Sequence, residues 1–169
     1  MRSEIGKLKR VLVHLPGREI DNMLPSMMEE LLFDDILFGD LARAEHRRFQ
    51  QIIWFVADEI VDLEDLLEET LRDEGTRSTI LADFSKRYTL EPSHMEELAS
   101  ISSADAAERL VAGIVEETDQ AHPHYKLPPV PNLFFTRDPQ IVIGDGVAIS
   151  AMATRARERE SLISHYVFR

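Results

Sequence analysis

Cysteine is absent from this chain of 169 residues. That excludes disulfides, thiolate metal sites and any cysteine nucleophile supplied by these residues. Basic residues are also scarce: 19 Lys and Arg stand against 31 Asp and Glu, for a formal charge of −12. Phosphate backbones are held by clustered Lys and Arg, so no nucleic-acid partner is expected. An acidic surface favours cationic ligands instead. No apolar run approaches the roughly 20 residues of a membrane span, so no membrane partner is expected either. The opening Met1-Arg-Ser-Glu-Ile-Gly-Lys7 lacks the apolar core of a signal peptide, and the expected address is the cytoplasm. Nothing forms a glycine-rich phosphate cradle; Gly144-Asp-Gly146 reads as a turn.

What is present fits one ordinary domain, or one core carrying a modest insertion. Leu8-Lys-Arg-Val-Leu-Val-His14, closed by Pro16-Gly17, reads as a buried strand ending in a turn. His14 at its end reads as a core or edge residue. Residues 41–57 carry a helical pattern, with Leu41, Ala44, Arg48, Ile52 and Val56 near one face and Phe49 and Ile53 widening it. A strand over residues 59–63 and a helix over 64–71 follow. The acidic stretch 58–74 reads as a solvated face; it lacks the glycine of a calcium loop.

Three further helices are expected over residues 78–88, 93–101 and 104–117. Ser93 before Glu96 has the form of a capping box. Residues 122–131 contain four prolines, which marks a linker or extended loop. His122 and His124 flank one of them, but no third ligand at a recognisable spacing supports a metal site. Apolar runs at 140–143 and 147–150 around Gly144-Asp-Gly146 predict a hairpin. Residues 154–166 read as a charged helix with Thr154 as its cap. The order fits an α/β core with a helical insertion of roughly residues 70–122.

The densest chemistry lies in Asn132-Leu-Phe-Phe-Thr-Arg-Asp-Pro139. A carboxylate beside a hairpin can hold a guanidinium through two parallel charge-assisted hydrogen bonds, and aromatic rings can dry the site. Strand-like alternation would put Phe134 and Phe135 on opposite faces, so at most one should face a ligand. The same residues also fit a plain Asp-Pro turn. Arg155, Arg157 and Arg159 point in different directions on a helix, so one can reach inward to a ligand carboxylate. They fit a salt-bridged surface helix with Glu158 and Glu160 as well. The segment 31–35 is either a turn whose aspartates hold backbone amides or the frame of a pocket.

Four of these pieces, in this order, resemble the arginine deiminases of the guanidino-group-modifying superfamily. They are residues 3–17, Glu30-Leu-Leu-Phe-Asp-Asp-Ile36, Asn132 to Pro139, and Gly146-Val-Ala-Ile-Ser-Ala-Met152 with Arg157, Glu160 and Ser161. The similarity runs through most of residues 3–74 and 127–169. It implies a pentein-type α/β propeller, in part over residues 1–69 and 123–169, bearing an inserted helical bundle at 70–122. The implied reaction hydrolyses L-arginine to citrulline and ammonia through a cysteine thiolate, a proton-moving histidine and water, with no cofactor.

By motif position, the resemblance makes Asp138 one of two aspartates on the guanidinium. Asn132 and Arg157 would hold the α-carboxylate, Phe135 would line the pocket, and the Leu32 backbone would meet the α-amino group. Asp138→Ala is expected to cost about 3–5 kcal/mol of ligand binding where the pair is buried. Family members run to more than twice this length, and their histidine, second aspartate and cysteine lie in the part absent here. The chain is therefore expected to be inactive alone and to need a C-terminal half or complementary chain. Its uncovered sheet edges also invite association with further copies of itself. Other guanidine-modifying enzymes, such as amidinotransferases, and a non-catalytic arginine-binding or oligomerisation module are the alternatives.

Overall fold

β1 (Leu8–Val13) and β2 (Ala57–Asp62) pair in parallel, in register from Leu8 with Ala57 to Val13 with Asp62. Parallel neighbours need a long crossover. Here it is α1 (Arg18–Asp21), α2 (Met28–Leu31) and the fifteen-residue α3 (Gly39–Ile53). The computed structural model describes residues 5–116 and 124–169. His122, one of the two proline-flanking histidines, lies outside them, as do residues 3 and 4 of the opening motif.

Four helices follow β2: α4 (Leu63–Leu71), α5 (Glu74–Tyr88), α6 (Pro92–Ser100) and α7 (Ser103–Ala112). Side-chain caps fix three of the starts, because each satisfies a helix N–H that has no intrahelical partner. Asp62 accepts from the Glu64 amide, Asp73 from Thr76 and Ser102 from Asp105. Ser93 caps nothing: α6 begins one residue earlier, at Pro92, whose ring suits the first helical turn.

The helix expected over 104–117 stops at Ala112. Gly113 takes φ +90° and turns the chain into β3 (Ile114–Glu116), which pairs antiparallel with β4 (His124–Leu127). Part of the proline-rich stretch is thus strand, and Pro131–Phe134 form a 3-10 turn. The predicted hairpin forms as β5 (Gln140–Ile143) and β6 (Gly146–Ile149). Gly144 takes φ +59° and Asp145 does not turn positive, the pattern of a type II′ turn. A 3-10 turn at Arg155–Arg157 then leads into α8 (Glu158–Val167), and Thr154 makes no side-chain cap there.

The main core joins α4, α5, α6, α7 and α8 with β3 and β4. Leu63, Leu67 and Leu71 meet Ile80, Phe84, Leu98, Leu110, Leu127, Leu133 and Ile163, all essentially solvent-free. A smaller core of Val13, Ile53 and Ala57 lies at the β1–β2 pair. The face predicted for α3 does not pack as expected. The helix ends at Ile53, so Val56 is not on it, and Leu41, Phe49 and Ile52 stay exposed. Ile53 alone among its apolar side chains is buried, against Val13 and Ala57 of the β1–β2 pair, and a two-stranded sheet is too narrow to cover a whole stripe. The chain is a mixed α/β protein with three two-stranded sheets among the described residues. No helix among these residues is long and apolar enough to cross a membrane.

Candidate functional site

Asn132 to Pro139 is pinned to its surroundings at several points. The Thr136 hydroxyl donates to the Leu12 carbonyl of β1 at 3.2 Å. The Asp138 amide donates to the Phe135 carbonyl at 3.0 Å, closing a turn. The Ser150 hydroxyl and amide, just past β6, donate to the Asp138 and Pro139 carbonyls at 2.8 and 2.9 Å. Gln140 extends this inward, donating to the Thr136 carbonyl and accepting from the Ser164 hydroxyl of α8. Strand, hairpin and helix together therefore hold one short loop.

That loop brings Asp138 against Arg157. Arg157 Nη1 lies 2.9 Å from Asp138 Oδ2, while its Nε and Nη2 donate to the two Glu160 oxygens at 2.8 and 2.7 Å. The Glu160 pair is the two-pronged geometry in which a guanidinium binds a carboxylate best. Glu160 is fully buried, so the surface pairing expected of it gives way to an interior one. Burial pushes its carboxyl up, against the pull of Arg157. Glu160, and then Asp138, raise the Arg157 guanidinium above its ordinary value.

The Phe135 ring lies 6.0 Å from the Arg157 guanidinium, at the edge of cation–π range. Phe134 and Phe135 do not alternate. They sit in and beside a 3-10 turn rather than a strand, and their ring centroids are 4.2 Å apart. At about three residues per turn, successive side chains are not thrown to opposite faces as they are by a pleat.

Asn132 is buried, and its amide nitrogen donates to the Leu31 carbonyl at 2.8 Å. Leu31 closes α2, and the next residue, Leu32, is left-handed at φ 62°, ψ 41°. The Leu32 and Phe33 amides return to the Glu29 and Met28 carbonyls, a Schellman ending that normally uses glycine. Asp35 accepts from its own neighbour, Ile36, so the turn reading of 31–35 holds in part. Leu32, Asn132, Phe135, Asp138 and Arg157 thus fall into two linked groups: Leu32 with Asn132, and Phe135 with Asp138 and Arg157.

Asp138 is about half exposed, its side chain at 48%. The condition attached to a loss of 3–5 kcal/mol is therefore not met in this chain, and about 1 kcal/mol is the appropriate scale. Among the described residues, no group of three or more His, Asp or Glu could hold a metal ion.

A second charged cluster was not legible in the sequence. His14 is solvent-free at the end of β1, its Nε2 3.2 Å from Glu19 Oε1 and its Nδ1 3.3 Å from Asp62 Oδ1. Burial opposes its charge, but hydrogen bonds and attraction from Asp62 and Glu19 outweigh it and raise His14 to about 10. Asp62 is held below the carboxylate range by His14 and by the Leu15 and Glu64 amides, against its own burial. Asp62 is 48 residues from His14, so no local spacing announces that pair, although Glu19 is only five residues on. Glu160 carried a signal, its i,i+3 position from Arg157.

A carboxylate, a guanidinium and an aromatic ring thus meet where this loop of a mixed α/β chain touches the turn before α8. Sequence comparisons identify the relatives. A family model described as arginine deiminase matches residues 29–169. Arginine deiminases of Staphylococcus aureus strains JH9, Newman and Mu3 are each 37% identical over 186 residues. Each alignment covers 99% of this chain and 44% of the relative. The chain belongs to the arginine deiminase family, and it spans less than half the length of these curated relatives.

Proposed function

We propose that this chain is the N-terminal part of an arginine deiminase, which hydrolyses L-arginine to L-citrulline and ammonia. It supplies groups that grip the substrate but no nucleophile. On this reading residues 1–69 and 123–169 are part of a pentein-type propeller, and 70–122 are an inserted helical subdomain. The observation that carries the reading is the Asp138–Arg157 pair beside Phe135. A carboxylate and a guanidinium in contact are the complement of a ligand that bears a guanidinium at one end and a carboxylate at the other.

L-Arginine would insert between them, its guanidinium on Asp138 and its α-carboxylate on Arg157. Glu160 keeps the Nε and Nη2 side of Arg157 and so fixes the direction of the remaining N–H groups. Asn132 holds the Leu31–Leu32 turn through one amide N–H and has a second to offer the carboxylate. The left-handed Leu32 presents backbone to the α-amino group, and Phe135 forms a wall. The nucleophilic cysteine and the proton-moving histidine come from the remaining length of the family. The thiolate adds to the guanidinium carbon, ammonia leaves with a proton from the histidine, and water releases citrulline.

The test is complementation. The chain alone should make no citrulline, and adding a separately produced chain with the family's remaining, cysteine-bearing length should restore turnover. Asp138→Ala should abolish the restored activity. Citrulline formation without any added chain would sink the proposal. Arginine binding that needs Asp138, with no turnover on complementation, would favour a non-catalytic arginine-binding module instead.

A further inference from the structure

Arg159, two residues past the candidate site's Arg157, is 3% exposed and points elsewhere. Its Nη1 donates to the Leu110 carbonyl at 3.3 Å, and its Nη2 donates to the Pro128 carbonyl and, at 3.5 Å, to that of Pro129. All of these hydrogen-bond partners are neutral, Glu160 acts on it only through its charge, and its Nε has no hydrogen-bond partner among the described residues. The guanidinium lies 5.4 Å from the Tyr88 ring, whose buried hydroxyl is also unpartnered. Burial lowers Arg159 to about 10, which still leaves it charged at neutral pH. A buried cation held only by carbonyls and a ring is costly unless something neutralises it.

Arg159 and Tyr88 both line a cavity of about 210 Å³. Arg155 and Lys126 line it too, against a single carboxylate, Glu30. Glu91 pairs with Lys126 at 3.2 Å, and Glu158 acts on Tyr88 from nearby. Even so, three cations around one small space stand out in a chain with a formal charge of −12. Tyr125, whose hydroxyl donates to the Asn22 carbonyl at 2.7 Å, adds an aromatic wall.

We propose that this cavity binds a small oxyanion with a short apolar body, such as a carboxylate or a phosphate monoester. Only an acceptor can meet Nε and the Tyr88 hydroxyl together, and only an anion also answers the charge of Arg159 and Arg155. The proposal requires the two side chains to rotate so that these groups meet the ligand. The site is separate from the substrate grip: Asp138, Arg157, Asn132 and Phe135 do not line it. It stands independently of the proposed reaction. The two sites touch at Leu31, which lines the cavity and whose carbonyl holds Asn132.

The experiment is calorimetric titration of the chain with inorganic phosphate, phenyl phosphate and succinate at low salt. Saturable binding of at least one is expected, and Arg155→Ala should weaken it about tenfold, the scale of one charge-assisted hydrogen bond. Tyr88→Phe should weaken it as well, while Arg10→Ala, on the far exposed β1 surface, should not. Binding of the two phosphates alone assigns a phosphate ligand, and binding of succinate alone assigns a carboxylate. Absence of saturable binding up to about 10 mM, tenfold above a millimolar dissociation constant, would overturn the proposal. So would binding unchanged in both Arg155→Ala and Tyr88→Phe, or binding lost only in Arg157→Ala.

Discussion

Leu32 and His14 each hold a position that ordinary packing would not select. A left-handed leucine costs on the order of 1–2 kcal/mol relative to a helical one, because its Cβ crowds the following carbonyl. The cost is met here by the two amides that close α2 and by Asn132 beneath the turn. Leu32→Gly should therefore change stability by less than about 1 kcal/mol, since the exposed side chain gives up little burial. Leu32→Val should lose about 2 kcal/mol, β-branching being poorly tolerated at positive φ. Urea midpoints of the two variants distinguish these outcomes.

His14 makes a pH prediction at the same scale. Its pKa rises from 6.5 to about 10 on folding. Its contribution is thus complete below pH 6.5 and is lost as pH climbs through about 10. Glu64, pushed by burial from 4.5 to about 7, works in the same direction over a lower window. Asp62 works the other way: its contribution is present above its ordinary pKa of 3.8 and fades in stronger acid. The urea midpoint should fall between pH 6.5 and 10. His14→Gln should lower it overall, by leaving two carboxylates without their counter-charge, and flatten that decline.

Among the elements, the ends carry more information than the middles. Gly113 and Gly144 both take positive φ, yet they differ in what surrounds them. A Cβ on Gly113 would stand 2.5 Å from the Leu127 carbonyl oxygen and 2.9 Å from the Pro129 nitrogen, whereas one on Gly144 meets nothing within 4 Å. Gly144→Ala should cost about 1 kcal/mol, from backbone strain alone. Gly113→Ala should cost more than about 2 kcal/mol, because strain and backbone collision add. Thermal unfolding of the two variants measures the gap. The hairpin turn was legible because Gly-Asp-Gly between β-branched runs is a local signal. The stop at Gly113 was not, because Ala104 to Ala112 continues a helical pattern and only β4, arriving from a distance, converts the next residues to strand. Ser93 misled for the complementary reason: the capping form was present, but the preceding Pro92 starts the helix first.

For the whole molecule, the uneven distribution of apolar surface is the leading property. Phe49, Ile52, Trp54, Phe55 and Val56 form an exposed run at the end of α3, with Phe55 at 88% exposure. Ile141, Val142 and Ile143 of β5 are exposed too. On the proposed reading, the remaining length of the family covers such surfaces. The chain has one tryptophan, Trp54, at 60% exposure. Its emission should be red-shifted and readily quenched by iodide in the chain alone, then blue-shift when a complementary C-terminal chain is added. Unchanged emission on adding that chain, with restored turnover, would place the contact elsewhere.

The sequence by itself determined the strand at Leu8, though not that only its far end is buried, the β5–β6 hairpin, the run of helices between residues 63 and 112, and the motif order that carries the family. Those features rest on periodicity, turn chemistry and ordered short motifs, all written within a few residues of one another. Tertiary structure alone decided that Glu160 and His14 are interior charges, that α3 leaves its apolar stripe uncovered, and that Arg157 meets Asp138 while Arg159 turns to a separate cavity. Burial and ion pairing depend on which distant segments arrive at a residue, and neither spacing nor residue type encodes that arrival locally.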